Sequence, residues 1–169
     1  AWRGIAASGA LLVLVPRHPQ RFAEVAALLT RLGIDFVRRS DSLPCPETQV
    51  WLGDSMGEMA AYYALADIAF IGGSLLPLGG QNLIEAAACG CPAVVGPHTF
   101  NFLQATADAI AAGAALRVPD AEGLATTICR ALGDTGELGK MRAAALRFAA
   151  AHRGASARTL ALIRSAITG

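Results

Sequence analysis

At 169 residues the chain has the length of one domain, and 54% hydrophobic against 16% charged residues excludes a disordered segment. A net charge of +1 selects no partner by sign and gives no reason to expect a nucleic acid. Three scattered histidines and four cysteines without a CxxC spacing argue against a metal site, and the apolar runs fall far short of the ~18 residues of a membrane span.

Ala1 stands only ten residues before the first strand, with no signal peptide, which suggests a piece of something longer. Leu11–Val15 (LLVLV) is a continuous apolar run stopped by Pro16, the pattern of a buried parallel strand. Pro19–Leu32 carries Phe22, Val25, Ala26, Leu28 and Leu29 at helical spacing and meets a stop signal at Gly33. Ile34–Arg38 predicts a second strand, 41–48 a proline-bearing loop, Val50–Gly53 a third strand and Gly57–Leu65 a helix. Asp67–Ile71 is a fourth strand running into Gly72 and Gly73. A helix over Leu83–Cys89, a fifth strand over Ala93–Val95, a helix over Asn101–Ala112 and a sixth strand over Ala115–Val118 follow. Helices at roughly 120–132, 135–151 and 155–167 complete the chain.

Charge is uneven along this order. No Lys or Arg lies between Asp41 and Leu116, where seven acids fall. From Leu138 onward Lys140, Arg142, Arg147, Arg153, Arg158 and Arg164 face no acid, which reads as a solvated helix face or as a surface resting near anionic lipid. Cys89 and Cys129 sit in apolar stretches and read as small core residues of a protein in a reducing compartment.

The alternation of strand and helix argues for one three-layer α/β/α, Rossmann-like domain over 1–169, with a parallel sheet of about six strands. Ligands of such sheets bind beyond the carboxyl ends of the strands, so the loops after Val15, Gly53, Ile71 and Val95 are expected to meet at one crevice.

In the first of these loops Arg17 is placed to fork onto phosphate oxygens. In the second, Ser55 and Glu58 have the spacing of a capping box, while Gly57, a poor first-turn residue, would let a ligand approach the backbone; both readings stand. The third, 72–85, is the most informative. Gly73 and Ser74 follow the strand, and Gly79 and Gly80 admit a phosphate close to the backbone. Asn82 and Glu85 again have capping-box spacing, although a carboxylate there can also accept from ribose hydroxyls. In the fourth, Asn101 and Gln104 have cap spacing and His98 is a candidate for a lesser contact. Neither GxGxxG after the first strand nor GxxxxGK[ST] occurs, so dehydrogenase and P-loop readings drop, and no Ser-His-Asp arrangement is visible.

The segments VPRHPQRF (15–22), LGDSMGEMAAYYALADIAFIGGSL (52–75) and GGQNLIEAAACGCPAVVGPHTFNF (79–102) together resemble bacterial Kdo (3-deoxy-D-manno-octulosonic acid) transferases. The likeness runs from about Leu11 to Val118 and more weakly to the end. It implies a GT-B enzyme of two Rossmann-like domains. This chain would be the carboxy-terminal one, which binds the donor CMP-Kdo; the sugar goes to a lipid A precursor in lipopolysaccharide biosynthesis. It also implies that the general base and any membrane anchor lie in an amino-terminal acceptor domain. The enzyme would then work at the cytoplasmic face of the inner membrane, with no cofactor and no catalytic residue in this chain. By position, Pro16 and Arg17 match the family's PR pair, and Met56, Gly57 and Glu58 its MGE beside the base. Asn82, Leu83, Ile84 and Glu85 match its N-x-x-E at phosphate and ribose. Gln81 stands where many relatives have His, and cannot become a cation. The alternatives are another GT-B enzyme acting on a UDP-sugar, and a stand-alone nucleotide-binding module.

Overall fold

A computed structural model describes residues 1–152; the helix expected at 155–167, with Arg153, Arg158 and Arg164, lies outside them. Six strands, β1 (Leu12–Leu14), β2 (Val37–Arg38), β3 (Val50–Leu52), β4 (Ala69–Phe70), β5 (Ala93–Val95) and β6 (Ala115–Arg117), alternate with helices. The helices are α1 (Trp2–Ile5), α2 (Gln20–Arg31), α3 (Met59–Leu65), α4 (Ile84–Ala88), α5 (Leu103–Ala111), α6 (Ala121–Gly133) and α7 (Thr135–His152). Each lies within the span its pattern predicts or a residue beyond it, except α1. That four-residue helix is too short for periodicity to signal; it packs on α6 and buries Ile5.

Every strand pair is parallel. Hydrogen bonding groups the six strands as two ladders, β1-β3-β2 and β4-β5-β6, where the sequence suggested one sheet. Periodicity identifies a strand but not its partner. The middle strands, Val50-Trp51-Leu52 and Ala93-Val94-Val95, are buried at every position, as strands covered on both faces must be, whereas β1, expected to be buried, is an edge strand and only half-buried. Where Leu32 ends α2, Gly33 donates to the Thr30 carbonyl and Ile34 to that of Leu29, both at 3.0 Å, the glycine-terminated closure its position predicts.

The larger core is built from small side chains. Ala86 and Ala87 of α4 cluster with Ala144, Ala145, Phe148 and Ala149 of α7 and with Ala93 and Val95 of β5. Five residues are too few for a stable helix alone, so α4 is held in place by this packing. Arg142, on the outer side of α7, pairs with Asp67 at 2.6 Å with both side chains exposed, so it is not an unpaired member of the basic stretch. Of the cysteines, Cys91 is the fully buried one, its thiol pushed up by burial to about 12, while Cys89 and Cys129 are only half-buried. Among the described residues no helix is long and apolar enough to cross a membrane.

Candidate functional site

The loops after β4 and β5 are joined by their backbones. Ser74 is fully buried; its hydroxyl donates to the Ile71 carbonyl at 2.5 Å and accepts from the Gly96 amide at 2.8 Å. The Ser74 carbonyl in turn accepts from the His98 amide at 2.9 Å. A side chain at Gly96 would strike the Ser74 carbonyl carbon at 2.5 Å and the Leu75 nitrogen at 2.7 Å, so only glycine permits this crossing. Asn101 completes the joint. Its amide nitrogen Nδ2 donates to the carbonyls of Leu78 (3.2 Å) and Gly80 (3.4 Å), and its backbone donates to that of Gly79. Asn101 therefore does not cap α5, which is preceded by a 3-10 turn at Phe100–Phe102, and Gln104 bonds forward to Asp108 instead. Arg117 at the end of β6 clamps the far side, donating to the Gly96 and Pro97 carbonyls and to Thr99 Oγ1 at 3.1–3.2 Å.

The loop after β3 is held by charged side chains. Asp54 accepts from the Ser40 amide (2.9 Å) and hydroxyl (2.8 Å), and Glu58 pairs with Arg39 at 3.0 Å. Glu58 also accepts from the Ser55 hydroxyl, which meets Tyr62 Oη at 2.7 Å. Tyr62 is buried edge-on against Trp51, with ring centroids 5.6 Å apart. The Ser55–Glu58 spacing thus makes a side-chain bond rather than a capping box, because α3 starts at Met59 and Glu58 is itself the cap position. The Ser55 bond, with help from the Arg39 guanidinium, holds the Glu58 carboxyl below its ordinary value against the opposing effect of desolvation. Desolvation at Asp54 acts upward, but the Ser40 bonds, the residue's own amide and the Arg38 charge together make the net shift downward. Between these anchors Met56 is 61% exposed, and Gly57 has φ +81° with open space around it.

Arg17 is exposed and, among the described residues, makes no ion pair. Burial raises the Tyr63 phenol, the Glu85 carboxylate adds to the rise and the Arg17 guanidinium opposes it, so both charges lie within electrostatic reach of one hydroxyl. Asn82 Oδ1 accepts from the Ile84 amide at 3.0 Å and its Nδ2 donates to Glu85 at 3.2 Å. The Glu85 side chain is not bonded back to the Asn82 backbone, so this too is not a capping box. The Ile84 amide is occupied by Asn82, and Leu83, 1% exposed, offers a ligand only its main chain.

The loops after β4 and β5 are thus joined to each other, while the loop after β3 is fastened to Arg39 and Ser40 beyond β2. Sequence reasoning missed Arg39, Ser40 and Arg117. The two arginines bracket the stretch that lacks cations, and the chain folds them back onto it. Two concave regions of about 480 and 340 Å³ share Pro119 and Asp120, and of the expected site residues only Gly73 lines either. Among the described residues, no group of three His, Cys, Asp or Glu could hold a metal ion.

Parallel ladders alternating with helices define an α/β domain, a class whose ligands bind at the carboxyl ends of the strands. No family model matches the chain. It is 53% identical over 152 residues to the 3-deoxy-D-manno-octulosonic acid transferase of Bordetella pertussis, covering 89% of this chain and 36% of that protein. It is 55% identical over 93 residues to the enzyme of the same name from Haemophilus influenzae, covering 54% of this chain and 22% of that one. The C-terminal CMP-Kdo binding domain of WaaA from Acinetobacter baumannii superposes with a TM-score of 0.77 at 36% identity, over 82% of this chain and 72% of that domain. The chain belongs to the 3-deoxy-D-manno-octulosonic acid transferase family and corresponds to its C-terminal domain. It spans about a third or less of the length of these two transferases.

Proposed function

We propose that this chain is the donor-binding half of an enzyme that transfers Kdo from CMP-Kdo to a lipid A precursor, at the cytoplasmic face of the bacterial inner membrane. The observation that carries the reading is the likeness, in sequence and fold together, to a domain described as binding CMP-Kdo. The relatives cited are named as Kdo transferases, which favours this over a UDP-sugar enzyme. As the bond from the sugar to phosphate breaks, CMP leaves as a phosphate monoester with growing negative charge. Arg17, exposed and free of an ion pair among the described residues, supplies the positive charge. The Gly79–Leu83 turn supplies close backbone approach, with Gln81 and His98 at its margin and Glu85 toward the ribose. The Met56–Gly57 apex receives the base. The general base and the acceptor contacts belong to the amino-terminal domain of the intact enzyme.

Titration calorimetry tests the reading: the 169-residue chain binds CMP more tightly than UMP and transfers no Kdo from CMP-Kdo by itself. Equal affinity for the two nucleotides would remove the cytidine donor, and transfer by the chain alone would remove the division of labour.

A further inference from the structure

We infer that Arg39 is a positioning residue for the donor nucleotide. It holds the 54–58 loop through Glu58, so that the Glu58 carboxylate acts on the loop and not on the ligand. The inference deepens the donor-binding reading and rests on it.

The loop has fixed shoulders and an open apex. Asp54, at one shoulder, takes both the amide and the hydroxyl of Ser40. Glu58, at the other, takes Arg39 at 3.0 Å on Oε1, and Ser55 on Oε2 with Tyr62 at 3.5 Å behind it. Both carboxylates are therefore committed to residues at the end of β2 and on α3, and Tyr62 fastens the second shoulder to the buried Trp51. With both oxygens bonded to neighbours, the Glu58 carboxylate is fixed in orientation by the loop's own supports. Between the shoulders Met56 is exposed, and Gly57 adopts φ +81° with no heavy atom within 4 Å of the place a side chain would occupy. What the apex offers is backbone, fixed in place by its neighbours. Preorganisation of that kind lowers the ordering cost of binding without a contact to the ligand.

A charge exchange separates this role from direct contact. In the full chain, Arg39→Ala is expected to weaken CMP binding about fivefold, the upper range that a half-exposed ion pair transmits. The melting temperature should change little, and amide hydrogen exchange at residues 54–58 should accelerate without ligand. Glu58→Gln should have the smaller effect, because Gln keeps an oxygen for Ser55 and Tyr62. The double exchange Arg39→Glu with Glu58→Arg should recover affinity and exchange protection relative to either single change. Two results overturn the inference: Arg39→Ala with affinity and exchange unchanged, or a double exchange no better than Glu58→Arg alone, which would place the carboxylate on the nucleotide. Failure of the wild-type chain to bind CMP would overturn the donor reading instead, while the exchange measurements still report on the latch.

Discussion

The loop after β3 and the pair of loops after β4 and β5 do the same job by opposite physical means. The first is fastened by ion pairs and side-chain bonds at a half-exposed surface, from Arg39 and Ser40 to Asp54 and Glu58. The second is fastened by main chain against main chain, through buried Ser74 and the crossing at Gly96. Exposed pairs contribute little each and respond to pH and salt, whereas a packed backbone crossing tolerates no added volume. The contrast makes one half of the site adjustable and the other rigid.

Breaking the rigid half should have the largest effect. Gly96→Ala drives a methyl group into the Ser74–Leu75 main chain and should cost about 3 kcal/mol, the upper range for overpacking, or more. Thermal denaturation would show this as a fall of roughly 6–12 °C for a domain of this size. A near-native melting temperature would mean that the two loops separate easily.

Arg17 belongs to neither fastening, and its change should divide binding from stability. If Arg17 bonds the donor phosphate as proposed, Arg17→Ala should remove a charged hydrogen bond worth about 1.5–3 kcal/mol and raise the CMP dissociation constant by one to two orders of magnitude. Gln81→Ala, a neutral bond of roughly 0.5–1.5 kcal/mol, should cost less. Both melting temperatures should stay near wild type, since Arg17 is exposed and unpaired among the described residues. A large loss of stability in Arg17→Ala would make it structural.

Asn101→Ala tests how far the rigid half relies on a surface side chain. It frees the carbonyls of exposed Leu78 and buried Gly80, so the expected cost is about 1 kcal/mol in stability. CMP affinity should fall with it, because the Gly79–Gly80 turn is what Asn101 holds.

The smallest effect is the pH response of the adjustable half. Glu58 has its carboxyl lowered, so its contribution is present above the ordinary Glu value and fades as pH falls through the lower folded one. The gap in melting temperature between wild type and Glu58→Gln should therefore be open near neutral pH and close in acid. A gap independent of pH would show that ionised Glu58 plays no part.

Much of this molecule was legible beforehand. The apolar runs located all six strands, and Gly33 marked the end of α2, because burial on two faces and a left-handed helix stop leave local signatures. The motif segments pointed to the family that the comparisons show. Cap spacing misled in three loops, since Ser, Asn, Glu and Gln have other partners once the chain is folded. Ser55 found Glu58 and Tyr62, Asn101 found the glycine turn, and Asn82 bonded forward to Ile84. The sequence by itself determined the elements, the order of the loops and the positions of the family's motifs, because these depend on neighbours a few residues apart. Only the tertiary structure decided that strands pair as two ladders, that Arg39 and Arg117 return to a stretch without cations, and that Gly96 must admit Ser74. Each of those depends on a contact at least 14 residues away in the chain, about which local periodicity carries no information.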